Sequence, residues 1–455
     1  MKRLVYSSIL IIILLGFTTL AKAQRPVAYD SPNYEYKMAT ELFQKGQYGA
    51  AQEYFQFVYE NATDQQYDLK TNSYFYQGVC AAKLNNGNAA FLLKDFIRKY
   101  PIHSCVPDAR FYLARYYFFK KDYKRALDNF DEIDERTVKS NDLAEYYFKK
   151  GYANLVKGDK DDAKYLFRKA SEYEGPYQQK AVYYRAHIAY EEGQYIAALE
   201  DFKSLEGVKE FSATVPFYIA QIHFLDKDYE TVVETAPAQL AQSTEKAELN
   251  RIIALSHYNL GNYEQADRYF EDFLTLNEKA KSGARVELPA SDCYAIGFTK
   301  YRKQQYKAAV DYLSKATKEN DAVAQSAYYI IGDCQIKTGQ LRLAAQSFLE
   351  ASKMDFSADI QEDAYYNYAK LQYETASAPF NNAISALEDY VKRYPHSTRS
   401  EEATTYLAKI YASSKNYPEA IKSIERLDSK SPEIMRSYQR CTHFHALQLI
   451  NNKEY

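Results

Sequence analysis

Tryptophan is absent from the 455 residues, so any aromatic packing or stacking falls to 47 tyrosines and 24 phenylalanines. Glycine and proline are sparse, at 15 and 12, too few for a fibrous or low-complexity chain. Basic residues do not outnumber acidic ones, 58 against 60, which leaves no surplus of positive charge for a nucleic-acid surface. The five cysteines, Cys80, Cys105, Cys293, Cys334 and Cys441, show no short paired spacing, so no motif supports a redox or metal role. They read as small core residues, and the sequence names no disulfide pair. Also missing are a Gly-rich phosphate loop, H-E-x-x-H and G-x-S-x-G. Asp159, Asp161 and Asp162 lack the glycine and the closing glutamate of a calcium loop. His443 and His445, two apart on an expected helix, point to different sides and make poor joint metal ligands. The expectation is a chain that is no enzyme and holds no cofactor or metal.

One long apolar run does exist, Leu4 to Leu20, between Met1-Lys2-Arg3 and Ala21-Lys22-Ala23. That order of basic, apolar and small residues is the layout of a secretory signal peptide over residues 1–23, with cleavage expected after Ala23. The alternative is an uncleaved anchor, because the run sits near the lower limit for crossing a bilayer. No cysteine stands at the cleavage site to carry a lipid. Residues 24–31 form a polar lead-in with Pro26. No second run of this kind follows, so no transmembrane span is expected in the mature chain.

Beyond the leader, one phrase recurs in variations. Ala181 to Leu205, AVYYRAHIAYEEGQYIAALEDFKSL, reads as two short amphipathic helices broken at Glu192-Gly193-Gln194-Tyr195. The stretches YYFKKGYANLVKGDKDDAKYLFRKA from Tyr146 and IIALSHYNLGNYEQADRYFEDF from Ile252 carry the same skeleton. A period of about 34 residues with two helices each marks a helical-hairpin repeat. Small residues on both helices, Gly151 with Ala163 or Gly332 with Ala344, allow close approach, while Phe167 or Phe348 fills the space beside them. One hairpin cannot bury its apolar stripe alone, so each must cover the next.

On these residues the chain resembles the tetratricopeptide repeat (TPR) family, whose unit carries small residues at its eighth and twentieth positions and an aromatic at the twenty-fourth. The seventeenth-position aromatic falls at Tyr48, Tyr123, Tyr195, Tyr229, Tyr263, Tyr306, Phe380 and Tyr417, with Lys160 and Leu341 in two further units and a degenerate unit near Gly87. The resemblance implies an all-α, right-handed superhelical solenoid of about eleven hairpins. It divides the chain into an N-terminal block over 32–276, an irregular connection over 277–291 and a C-terminal block over 292–455 that ends mid-repeat. Lys392 to Ala420, KRYPHSTRSEEATTYLAKIYASSKNYPEA, further resembles repeats of bacterial cell-envelope proteins. That likeness implies an exported protein in the periplasm or at the outer membrane.

In the TPR family the concave groove is lined by the first helix of each unit, chiefly at the second, fifth, ninth and twelfth positions. Here the fifth position holds Tyr36, Phe75, Phe111, Phe148, Tyr183, Phe217, Arg251, Tyr294, Tyr329, Tyr366 and Thr405. The twelfth holds Phe43, Phe118, Tyr190, Phe224, Tyr258, Tyr301 and Tyr373. Almost two helical turns separate the positions, so both stripes share a face. Two readings stand open: rings that pack helix on helix, or an aromatic groove for an extended peptide or a glycan. On the second, the partner-binding residues are Phe111, Phe148, Tyr183, Tyr190, Phe217, Phe224, Arg251, Tyr258, Tyr294, Tyr301, Tyr329 and Tyr366. Tyr183, Tyr190, Phe217 and Phe224 then form one patch, and Arg251 pairs an acidic side chain of the partner. Lysine never occupies the fifth position in the aligned units, so the carboxylate grip of cochaperone TPR domains is not implied. The expectation is a non-enzymatic envelope scaffold that binds other envelope proteins or peptides. Its alternatives are a glycan- or peptidoglycan-binding module and a fragment of a larger protein with a domain after residue 455.

Overall fold

A computed structural model describes residues 31–280, 287–375, 381–427, 430 and 432–452. The expected signal peptide, all but the last residue of the lead-in, Phe380 and the final three residues lie outside them. The described residues form 23 α-helices and no strand. They alternate as hairpins: α1 (Pro32–Gln44) with α2 (Tyr48–Asn61), α3 (Tyr67–Lys83) with α4 (Ala89–Lys99), α5 (Val106–Phe119) with α6 (Tyr123–Asp131), α7 (Ser140–Lys157) with α8 (Lys160–Ser171), and α9 (Gln178–Glu191) with α10 (Tyr195–Ser204). There follow α11 (Val215–Leu225) with α12 (Tyr229–Thr235), α13 (Lys246–Asn259) with α14 (Tyr263–Lys279), α15 (Ala290–Arg302) with α16 (Tyr306–Leu313), α17 (Ala322–Lys337) with α18 (Leu341–Lys353), α19 (Ala358–Thr375) with α20 (Asn381–Arg393), and α21 (Ser400–Ser413) with α22 (Tyr417–Glu425). A last helix, α23 (Pro432–Asn452), packs on α22.

The chain forms two compact units, one ending at Val208 and the other beginning at Lys209. The first holds α1–α10 and the second α11–α23; each is an all-α solenoid stack in which helices in substantial contact have at most one other α-helix between them. The sequence placed its division at 277–291 instead. There α14 and α15 stay packed: Ala254, Phe270, Ala295 and Ile296 share one core cluster, and Lys300 and Lys303 reach Asp267 at 2.6 and 2.7 Å. An insertion in a connection leaves the stacking faces untouched.

Every described turn from a first helix into its second carries a left-handed residue. Glycine supplies it at Gly46, Gly193, Gly261 and Gly339, with φ from 74° to 76°, while Asn85, Lys121, Lys227, Gln304 and Lys415 adopt it at 55° to 63°. Gly158 serves the fourth hairpin. The following N–H folds back five residues, as from Asp122 to the Tyr117 carbonyl at 2.9 Å and from Asn262 to that of His257 at 2.8 Å, which is how a helix end satisfies its open carbonyls. Asp122, Asp159 and Asp228 then cap the next helix by accepting from the N–H three residues on, so Asp159 acts as a helix cap.

Close approach explains the small residues. A Cβ added to Gly332 would lie 2.8 Å from the Phe348 ring, and one on Gly297 would lie 2.6 Å from Leu313. On the second helices of their own hairpins Ala198, Ala344, Phe167 and Phe202 are fully buried. All five cysteines are free; burial pushes the Cys80 and Cys334 thiols up to about 12, so they behave as small apolar groups.

Candidate interaction surface

The fifth-position rings turn inward. Tyr36 meets Phe55, Phe111 meets Phe130, Phe148 meets Phe167, Tyr183 meets Phe202 and Tyr329 meets Phe348, with ring centroids 5.4 to 6.2 Å apart. In every case the partner lies 19 residues later, on the second helix of the same hairpin. Phe111, Phe148 and Tyr366 keep only 4, 8 and 5 % of their surface in solvent. Tyr183, Phe217, Tyr294 and Tyr329 are half-buried, so each has an edge left for a partner.

Twelfth-position rings follow a second rule. Phe43, Phe118, Tyr190, Phe224, Tyr258 and Tyr301 each contact the aromatic five residues on, at 5.3 to 6.2 Å. These pairs brace the hairpin turn. Several also reach the next first helix, Phe118 touching Tyr152 at 5.6 Å and Tyr258 touching Phe298 at 6.0 Å. All six remain half-buried. Tyr183 and Tyr190 lie in the first unit, Phe217 and Phe224 in the second, so the four divide between the two units.

Hydroxyls on this face are engaged. Tyr301 donates to Asp333 at 2.8 Å, and Tyr329 donates to Asp363, each acid belonging to the following first helix. Burial first, then the Asp333 hydrogen bond, pushes the Tyr301 phenol up to about 12; burial does the same for Tyr258. The phenols therefore stay protonated donors at neutral pH. Arg251 is engaged too, with Glu248 at 3.1 Å and with Asp292. That pairing is not visible in the repeat pattern, because Asp292 lies 41 residues on, across the irregular connection. A partner's acid would have to displace one of these two carboxylates.

His223 and His257, in matching positions of neighbouring repeats, are positioned differently. His223 Nδ1 lies 2.9 Å from Asp228. His257 stacks on Tyr269 at 5.6 Å, and burial lowers its pKa.

Two hollows open where first helices meet. In the first unit a cavity of about 310 Å³ is lined by Lys83, Tyr112, Arg115, Tyr116, Glu145 and Lys149. Arg115 spans its floor, donating to Glu145 at 2.8 Å and to Asp142 at 2.7 Å. In the second unit Tyr329, Glu362, Asp363 and Arg399 line a cavity of about 470 Å³. Of the residues expected from sequence, Tyr329 thus borders a cavity; Arg115 stands at a ninth position of its unit but was not among them, and Lys83 and Arg399 lie outside the four groove positions. No described helix is long and apolar enough to cross a membrane. Among the described residues no group of three or more His, Cys, Asp or Glu stands where it could hold a metal ion.

Profiles of the tetratricopeptide repeat match residues 294–358, 363–397 and 250–279, all within the second unit and less than a third of the chain. Among solved structures, the TPR domain of P58(IPK) is similar over 92 % of this chain and 99 % of its own, with 15 % identity and a TM-score of 0.23. The Cut9–Hcn1 hetero-tetramer of the APC/C covers 90 % of each chain at 12 % identity and 0.25. Yeast Tom70 covers 92 % of this chain and 96 % of its own at 14 % identity and 0.27. No curated protein matches the sequence. The chain carries tetratricopeptide repeats, and repeat stacks of this kind present extended surfaces to partners.

Proposed function

We propose that this protein is a non-enzymatic scaffold of the bacterial cell envelope that binds other proteins or peptides along the first-helix face of its TPR hairpins. The observation that carries the reading is the set of rings left half-buried there: Tyr183, Tyr190, Phe217, Phe224, Tyr258, Tyr294, Tyr301 and Tyr329. A ring held by its neighbours yet open at one edge loses little conformational freedom on binding, and aromatic residues supply most of the energy of protein interfaces. Phe111, Phe148 and Tyr366 enter as support behind that surface, since little of their area is free. Arg251 enters as an exchangeable ion pair at its margin. Glycan binding is the second reading, favoured by the tyrosine faces themselves.

Photocrosslinking tests the reading. With p-benzoylphenylalanine at Tyr294, a crosslinked peptide from an envelope protein supports it. Crosslinking to nothing, together with retention on peptidoglycan, would favour the glycan reading. Replacing Tyr258 and Tyr301 of the second unit together by Ala should remove the captured partner while the circular-dichroism melt stays nearly unchanged. Export is checked by N-terminal sequencing of envelope protein, where Gln24 is expected as the first residue and an intact Met1 would refute cleavage.

A further inference from the structure

A second surface lies at the hairpin turns of the first unit. Where α3 turns into α4, α5 into α6 and α7 into α8, one large apolar side chain stands in solvent each time: Leu84 is 41 % exposed, Phe119 60 % and Val156 52 %. Beside each is an exposed lysine, Lys83, Lys120 and Lys157, and the middle turn adds Lys121 and Lys124. None of these five lysines takes part in an ion pair among the described residues.

Nearby acids are mostly occupied. Asp122 is bound by Arg125, Asp131 by Lys150, and Glu145 by Arg115 and Lys149. Asp128 is the one acid lining these hollows that stands outside an ion pair, so the rim is strongly positive on a chain whose formal net charge is −2.

Two hollows bring the three turns together. The cavity of about 310 Å³ sets Lys83 and Asn85 of the first turn against Tyr112, Tyr116 and Phe119. A larger one, about 780 Å³, sets Lys120 to Lys124 of the second turn against Ala153, Val156 and Lys157 at the end of α7. Openings of this volume admit side chains. Exposed apolar groups rimmed by charge of one sign mark a docking surface, and uncompensated lysines select a partner of opposite charge.

We infer that this turn edge binds an acidic protein segment whose apolar side chains enter the two hollows. A flat layer of lipid headgroups would answer the charge but leave the hollows unfilled, whereas a peptide answers both. The larger hollow lies at the turns, the smaller one reaches onto the first-helix face at Arg115 and Glu145, and none of the rings assigned to the proposed groove lines either.

The test uses the full chain and a fluorescein-labelled peptide alternating Glu with Leu and Phe, followed by anisotropy. Binding should weaken roughly tenfold as salt is raised through the physiological range. Reversing three charges together, Lys120→Glu, Lys121→Glu and Lys157→Glu, should weaken it by at least roughly tenfold, and Phe119→Ser should weaken it at any salt. These side chains are exposed, so melting curves should not move and a loss of binding cannot be laid to unfolding. Tyr294→Ala, on the groove face, should leave peptide affinity unchanged, which separates failure of this edge from failure of the groove. Equal affinity in the triple variant, absence of peptide binding, or sedimentation with phosphatidylserine vesicles in place of peptide binding would each overturn the inference.

Discussion

The two units solve the same stacking problem with different materials. In the first, one aromatic core runs unbroken from Tyr74 on α3 to Ile188 on α9, with Phe96, Phe130 and Phe167 fully buried along it. In the second, the core breaks into separate clusters around Ile253, Leu313, Phe348 and Tyr390. Polar ties lie among them. Gln325 is fully buried and donates to the carbonyls of Met354 at 2.8 Å and Ser357 at 3.2 Å while accepting from the Ser357 N–H at 2.7 Å. Buried Asp267 is held by Lys300 and Lys303. A ring core is indifferent to pH and tolerant of geometry; a polar tie is directional and costly to break on one side. The first unit should therefore answer mainly to lost volume and the second to lost charge.

The largest effect expected is Phe167→Ala, which empties a site where the ring stacks on Tyr184 at 5.4 Å and meets Phe148 at 5.7 Å. A loss of about 4 kcal/mol is expected in denaturant unfolding. Because the core is continuous over them, α3 to α9 should lose stability together. If only one hairpin loosens, as judged by hydrogen exchange, the contrast between the units fails.

Next comes acid. Burial raises the Asp267 pKa, but its bonds to Lys300 and Lys303 outweigh that and hold it below the usual carboxylate range. Its stabilisation is complete above the ordinary carboxylate pKa and fades as pH falls through the lower folded value. Asp267→Asn should cost about 3 kcal/mol at neutral pH and flatten the acid limb of the second unit's unfolding below the ordinary carboxylate pKa. Glu145, lowered by Lys149 and Arg115 against its own burial, and Asp95, held far below the usual carboxylate range by Lys99 and Tyr74, give the first unit an acid limb of its own. An unchanged acid limb in the Asn variant would show that other carboxylates govern it.

A third comparison sharpens what the aromatic ladder does. Ala198 is fully buried, and Ala198→Leu should overpack its hairpin by about 2 kcal/mol. Tyr183→Ala, at a half-buried ring, should cost less in the same thermal melt. A larger loss for Tyr183→Ala would mean that the ring belongs to the core before it belongs to any partner.

The smallest effect is a gain. Lys227 holds φ at 62° where five other turns use glycine, a conformation that disfavours a residue with a Cβ. Lys227→Gly should raise stability by roughly 0.5 kcal/mol, read as a small shift of the denaturation midpoint without change of slope. No gain would indicate that the lysine side chain compensates for its backbone.

Much of this was legible before any coordinates. Gly332 and Phe348 are matched in the sequence because each repeat must bring its helices together at the same point, and the close approach at Gly332 bears that out. The ladder was not decidable, since a seven-residue spacing places Phe148 and Tyr190 on one face but cannot say that Phe148 leans 19 residues ahead into its own hairpin while Tyr190 leans on Tyr195. Arg251 looked like an open cation because Asp292 stands beyond an insertion that breaks the period. Lys120 and Lys157 looked like ordinary charged surface, and only the stacking of turns gathers them. The degenerate stretch near Gly87 still makes its turn, with Asn85 in the left-handed region, because asparagine tolerates that conformation better than most side chains.

Helices that touch only their near neighbours also determine how the protein would respond to being pulled. A β-sandwich held at both ends resists until many hydrogen bonds shear at once; a stack of hairpins has no such clamp, because every contact it makes is local in the chain. Tension would peel the separate clusters of the second unit a few hairpins at a time, whereas the shared core of the first would let go together. For a protein proposed to work in an envelope that swells and bends, such a stack would yield and recover as a spring does.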